Sequence, residues 1–356
     1  MITWAFQVMP VFFLVGEYVN ARSSTAHHER GQYWTWWVRD RAMRLWWPTT
    51  VFVTVAILAV VAARASGADP AAVAEAGWLA ARQLWFLPVY LLLIALTPVM
   101  LAAHRRWGLA VPAGMAGAAA LAGAGVTGPH LHVTGYASYL LVWGSIHQWG
   151  FVWADGTLTC ARWRPYALAA GGAALLAGLV ASRAFQADMV GSGNTNPPSI
   201  ALLAYSAAQA GVVLAAEPVA ARLLARPGLG RRVTRLNEAT MTVYVRHFVP
   251  VIVVAVAFYP TGVMPRPVVG TARWWELRPA WFALLTAVLV PLVIAVMRAE
   301  RPMIRLTAGI GRPGPWSPVL LLAGLAATLL TGRAPAAGAR PQAVSTEQPQ
   351  QPPKAA

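Results

Sequence analysis

The residue types able to do chemistry fall into a few short stretches of an otherwise apolar chain. In "SIHQWGFVWADG", Ser145 to Gly156, an imidazole, an amide and a carboxylate interrupt a run of apolar and aromatic residues. His147 there is a candidate general base or ligand, because ionisable groups inside a membrane mark function by default. The plainer alternative is that His147 and Gln148 are interhelical hydrogen-bond glue. A second cluster is "LNEATMTVYVRHF", Leu236 to Phe248, with Arg246 and His247 adjacent, about two turns into an apolar run. Asn237 is the expected cap of that run, with Glu238 in its first turn. Arg246 either snorkels toward headgroups or faces a cavity that His247 and His147 share, where it could stabilise a developing oxyanion. Asp155 is expected near the inner mouth of such a cavity.

A third stretch, "VRDRAMRLWWP", Val38 to Pro48, carries Arg39, Arg41 and Arg44. Arg41 and Arg44 are three apart, on one helical face, and guanidinium suits bidentate phosphate contacts. From spacing alone, a positive anchor flanked by interfacial Trp46 and Trp47 is the better explanation of them. Glu17 lies near the inner end of the first apolar run and either pairs with a basic residue or is protonated. "GSGNTNPPS", Gly191 to Ser199, reads as an outer loop ending in Asn196 as a helix cap before Pro197 or Pro198. Gln148, Trp153, Asn194 and Asn196 are the candidates for holding a substrate. The "HLH" pair, His130 and His132, offers two metal ligands without a third, so no metal is expected.

These groups must be positioned by helices. The chain has 356 residues, 58% hydrophobic and 11% charged, against about a quarter charged in a soluble domain. Apolar runs long enough to cross roughly 30 Å of hydrocarbon recur along its length. They show no alternating barrel pattern, and lipid leaves helices as the default. The expectation is an all-α polytopic integral membrane bundle of about ten transmembrane helices. The spans are placed near 4–21, 48–63, 84–103, 110–127, 136–153, 165–182, 199–216, 240–259, 280–297 and 316–331. The Gly- and Ala-rich fourth span is expected to pack closely, and kinks are expected at Pro10, Pro88, Pro98, Pro250 and Pro291. Residues 1–331 form the expected membrane domain and 332–356 a disordered tail rich in Pro, Ala and Gln.

The net charge of +16 does not point to nucleic acid, because the arginines sit in the links between spans. Alternate links hold 18 of the basic residues and the opposite links with the tail hold 9. That bias puts the links at 22–47, 104–109, 154–164, 217–239 and 298–315 in the cytoplasm. The N-terminus is then outside, with no sign of a cleaved leader. Cys160 is the sole cysteine, so no intrachain disulfide forms and no redox motif exists.

Several stretches, in order over about residues 4–300, together resemble the acyltransferase family 3 of bacterial inner-membrane proteins. They are "QVMPVFFLVG" at Gln7–Gly16, "RLWWP" at Arg44–Pro48, "WFL" at Trp85–Leu87, "HQWGFVWADG" at His147–Gly156, "NTNPPS" at Asn194–Ser199 and "MTVYVRH" at Met241–His247. The resemblance implies a multi-pass protein of the bacterial plasma membrane that moves an acyl group, often acetyl, from acyl-CoA to a hydroxyl. The acceptor is expected to be an extracytoplasmic glycan or related molecule. It also implies that Arg41 and Arg44 match the basic motif holding the CoA phosphates, with Arg39 beside them. Members of the family carry a further span, bearing an arginine and a catalytic histidine, ahead of the "QVMPVFFL" helix. The expectation is that this chain lacks that span, so either His147 or His247 supplies the base or the chain is inactive as written. Glu17 stands where the family leads one to expect Gly. The competing readings are a transporter or exporter using the same polar groups as a path, and a non-catalytic remnant.

Overall fold

The structure is a computed structural model that describes residues 7–31, 33–124, 131–187, 194–258, 261–265 and 267–308. Among these residues it is all-helical, apart from an isolated bridge between Thr195 and Pro198. The helices are α1 (Met9–Glu29), α2 (Trp34–Ala65), α3 (Pro70–Arg82), a 3-10 turn (Gln83–Trp85), α4 (Phe86–Trp107), α5 (Ala110–Ala124), α6 (Leu131–Ala154), α7 (Arg164–Ala181), α8 (Ile200–Leu224), α9 (Pro227–Arg246), α10 (Phe248–Phe258), α11 (Ala272–Glu276) and α12 (Arg278–Ala308).

Length and composition qualify fewer of these as membrane spans than the ten expected. Among the described residues four runs are long and apolar enough: Phe86–Trp107, Arg164–Ala181, Ile200–Leu224 and Ala272–Ala299. A fifth is added if the pair Pro227–Asn237 and Thr242–Phe258, bent by 44°, counts as one. The apolar part of α2 and α5 are shorter. In α1 and α6 the polar residues dilute the apolar character, and Glu17, Asn20, Ser145, His147 and Gln148 are buried in the bundle rather than turned to lipid. The expected span 316–331 and the tail 332–356 lie outside the described residues.

The links are more helical than expected. The basic segment 22–47 is nearly all taken up by the end of α1 and the start of α2, and 217–239 by α8 and α9. Asn237 is therefore not a cap but a residue within α9, which opens at Pro227. Proline suits that first turn, where its missing N–H has no intrahelical partner to lose. Pro10, Pro88 and Pro250 likewise sit in the first turns of α1, α4 and α10, while Pro98 and Pro291 are interior. The break between α9 and α10 follows from Pro250, which has no N–H to offer the Arg246 carbonyl four residues earlier.

The core lies where α1, α4, α6 and α8 meet, around Phe13, Leu93, Trp143, Ile146, Phe151 and Leu202. Glycines set how closely the helices approach. A methyl at Gly172 or Gly211 would overlap the facing backbone of the α7–α8 pair, the close small-residue crossing common in membrane bundles. The Gly-rich helix α5 packs closely on α6 as expected, though not through its own glycines: Gly114, Gly117 and Gly123 face open space. It is held to α6 by Gly144, which makes room for Met115, and by Ser145 Oγ, which donates to the Pro112 carbonyl at 3.0 Å.

Candidate active site

The crossing of α1 and α6 brings an acid to a base inside the core. Gly150 faces α1, and a Cβ built there would fall 2.6 Å from Glu17 Cβ and 2.8 Å from the Leu14 carbonyl oxygen. Only glycine lets the two backbones come this near. One turn before Gly150, His147 Nε2 then lies 2.5 Å from Glu17 Oε2, both side chains being 0% exposed. The approach is off the axis of a ring N–H, so it is an electrostatic contact rather than an aligned hydrogen bond. Asn20 Nδ2, one turn further along α1, donates to the same Oε2 at 3.0 Å.

Buried ionisable groups are costly unless paired and hydrogen-bonded. Glu17 and His147 are paired with each other, and Asn20 supplies the hydrogen bond to the carboxylate. The pairing leaves unused capacity: His147 Nδ1, Glu17 Oε1 and Asn20 Oδ1 are buried with no hydrogen-bond partner. Such orphaned groups are uncommon in folded proteins, and they cluster where a ligand or proton is handled. The sequence leaves Glu17 either paired with an unnamed basic residue or protonated. The signal that links it to His147 is shared depth, an acid and an imidazole each interrupting an apolar run.

Arg41 approaches the same helix from α2. Its Nη2 donates to Ser23 Oγ at 2.7 Å, and its guanidinium lies 5.7 Å from the centroid of the Trp37 ring. It is half-buried, as is Arg39, while the Arg44 side chain lies outside what the structure describes. Arg41 thus sits about a turn and a half along α1 from Glu17, on the side of the basic links.

A second carboxylate and imidazole meet at the end of α6. Asp155 Oδ2 lies 2.8 Å from His104 Nε2 of α4, and Oδ1 accepts from the Thr157 N–H at 2.8 Å. Partial burial works to raise the Asp155 pKa, but hydrogen bonds from Thr157 and the contact with His104 outweigh it and hold the carboxyl below its usual value.

The remaining candidates are distributed otherwise than expected. Gln148 is buried, and its Nε2 donates to the Met100 carbonyl at 3.0 Å, tying α6 to α4. Trp153 packs on Tyr18 with the rings tilted by 32° and centroids 4.1 Å apart, and its Nε1 donates to Glu217 at 3.0 Å. Asn194 is buried and organises the turn before α8. Its Nδ2 donates to the Gln186 carbonyl at 2.7 Å, and its Oδ1 accepts from Ser199 Oγ at 3.0 Å. That turn places Ser199, not Asn196, at the N-cap, accepting from the Leu202 N–H. Asn196 is exposed and accepts from Tyr139 Oη at 2.8 Å. His130 lies outside the described residues, as does the side chain of His132. Among the described residues no group of three or more His, Cys, Asp or Glu could hold a metal.

The structure does not join His147 and His247 in one cavity. His147 is sealed between α1 and α6, whereas His247 is exposed at the α9–α10 break, its Nδ1 donating to the Tyr244 carbonyl at 2.6 Å. Asp155 does not link them. Arg246 is 3% exposed at the end of α9, not snorkelling outward, and Asp155 faces His104. Successive residues of a helix point about 100° apart, which leaves His247 exposed beside the buried Val245 and Arg246.

No curated protein and no solved structure matches the chain. The acyltransferase domain of acyltransferase family 3 matches residues 1–298. That match covers most of the 356 residues, and with it the chain belongs to this family of membrane acyltransferases.

Proposed function

We propose that the protein is a multi-pass acyltransferase of the bacterial plasma membrane, taking an acyl group, acetyl first among them, from acyl-CoA on the cytoplasmic side. The acceptor is a hydroxyl of an extracytoplasmic glycan or related molecule. The helices too short or too polar to qualify by composition, α1, α2, α5 and α6 among them, cross the bilayer as parts of one bundle. The single observation that carries the reading is the sealed pair of Glu17 and His147 with its unused Nδ1.

In this reaction His147 Nδ1 takes the proton of the acceptor hydroxyl as its oxygen attacks the thioester carbonyl carbon. The carbon–oxygen bond forms, the carbon–sulfur bond breaks, and the imidazolium returns the proton to the leaving thiolate. Glu17 holds the ring and offsets its positive charge, the role of a carboxylate behind a catalytic imidazole. Arg41, with Arg44 and Arg39, meets the CoA phosphates at the basic entrance, which requires Arg41 to leave Ser23. His247, exposed between α9 and α10, and Arg246 are given no role in proton transfer. Because His147 is sealed in this conformation, turnover needs an opening step.

A second reading, a proton-coupled exporter, draws on the two carboxylate–imidazole pairs stacked along α6. The full chain in proteoliposomes separates the two. Transfer of labelled acetyl from acetyl-CoA to a glycan hydroxyl supports the enzyme, and substrate flux without acetyl-CoA supports the exporter.

A further inference from the structure

Below the sealed pair, a pocket of about 600 Å³ opens between the inner ends of α1, α4 and α6. Phe151 and Leu101 line it, as do Ala21 and Thr25 of α1, the His104–Asp155 pair, and the exposed Arg22 and Arg105. Ala21 follows Glu17 by four residues and Phe151 follows His147 by four, so the pocket lies one helical turn, about 5.4 Å, from the pair. The Phe151 ring contacts both imidazoles. Its centroid is 5.8 Å from that of His147, edge-on at 90°, and 5.7 Å from that of His104. His104 Nδ1 is buried beside the pocket with no hydrogen-bond partner.

The charges say what such a pocket holds. Arg22 and Arg105 are offset by Glu29 and Asp155, and the surrounding ends of α1, α4 and α6 are C-terminal, where helix dipoles disfavour anions. The interior is therefore no phosphate site. It suits a slender neutral chain with amide groups, meeting small side chains, the Thr25 hydroxyl and the His104 ring. The charged end of that chain stays outside, with guanidinium groups at hand.

We infer that this pocket takes the amide-bearing thioester arm of the acyl donor, and that the Phe151 ring is the gate between the arm and His147. The inference rests on the proposed acyltransferase reading and adds the donor's path. The pocket opens at the same end of α1 as the Ser23–Arg41 contact, so the arm enters the pocket while the phosphates, outside it, turn toward the arginines of α2.

The test uses the full chain carrying Cys160→Ser and Thr25→Cys, in phosphatidylcholine nanodiscs, and follows the rate of maleimide labelling. Acetyl-CoA has no free thiol and serves as the probe. At about ten times its Kd it should slow labelling about tenfold. The nucleotide end alone, 3′,5′-ADP, should slow it far less, and phosphatidylglycerol in the nanodisc should not slow it. Equilibrium dialysis with radiolabelled acetyl-CoA runs in parallel. Binding in dialysis without protection at Thr25→Cys, or equal protection by 3′,5′-ADP or by phosphatidylglycerol, overturns the pocket assignment and leaves the enzyme reading standing. No binding in dialysis overturns the enzyme reading itself. For the gate, diethylpyrocarbonate modification of His147 is mapped by peptide mass spectrometry. His147 should resist in the wild type and react in Phe151→Ala, or in Phe151→Leu where the alanine variant does not fold. Equal reactivity with and without the Phe151 ring overturns the gate.

Discussion

Gly150→Ala is the sharpest probe of how the site is built. The added carbon would sit 2.6 Å from Glu17 Cβ, 2.8 Å from the Leu14 carbonyl oxygen and 2.9 Å from the Tyr18 nitrogen. Non-bonded carbons prefer about 3.5–4.0 Å, so α1 and α6 must part by roughly 1 Å. Two of the three obstructing atoms are backbone and cannot rotate away. Overpacking of this kind costs about 1–3 kcal/mol, offset by about 1 kcal/mol because alanine is the better helix former. The expected result is a net loss near 2 kcal/mol, since the backbone contacts put the strain at the upper end. A displacement of about 1 Å at the pair should also cut acyl transfer on the order of a hundredfold. The control is Gly114→Ala in α5, where nothing lies within 4 Å. It should be neutral or stabilising by up to about 1 kcal/mol. Thermal unfolding in detergent and acyl transfer are measured on both. If Gly150→Ala proves as stable and as active as Gly114→Ala, the close α1–α6 approach does not set the site.

Glu17→Leu should cost about 1–3 kcal/mol by leaving the buried His147 without its partner, and Glu17→Gln should recover part of that stability. Thermal unfolding of the two variants decides it, and equal stability of Glu17→Leu and wild type would contradict it. Arg41→Ala together with Arg44→Ala should weaken acetyl-CoA binding by about 1.5–3 kcal/mol per lost charge-assisted contact, with expression unchanged. Unaltered affinity would leave these arginines as membrane anchors. The Asp155 carboxyl is held below its ordinary value, so its stabilising contribution is complete above about pH 4 and lost as pH falls through the lowered value. The stability gap between wild type and Asp155→Asn should therefore be constant near neutrality and close in acid. A gap that widens in acid would reverse the sign of the argument.

The helical character and most helix positions were legible in the sequence because apolar periods and lipid leave little else. The chemistry-bearing stretch around His147 was legible too, as polar groups where hydrocarbon penalises them. What was not legible depends on contact across helices. The partner of His147 is Glu17, 130 residues away in the chain, and only the glycine at position 150 makes their meeting possible. Spacing alone placed His147 and His247 at similar depth, but depth carries no rotation. Successive helix residues point about 100° apart, so His247 is exposed beside the buried Val245 and Arg246, which a count of turns from the span end does not register. The Gly-rich run of α5 packs closely on α6, as expected, but the glycine that makes room there is Gly144 of α6 rather than one of its own. Ser199, rather than Asn196, caps α8 because Asn194 closes the preceding turn on it.

The central claim is that His147, backed by Glu17, handles the proton in acyl transfer. The measurement that tests it most directly is transfer of labelled acetyl from acetyl-CoA to the acceptor by the full chain, compared with His147→Gln and Glu17→Gln at matched folding. Loss of one well-placed base should lower turnover about 10²- to 10⁴-fold, with acetyl-CoA binding retained. The Glu17→Gln variant should fall between that and wild type. Turnover that survives His147→Gln undiminished would make the pair structural packing and place the base elsewhere.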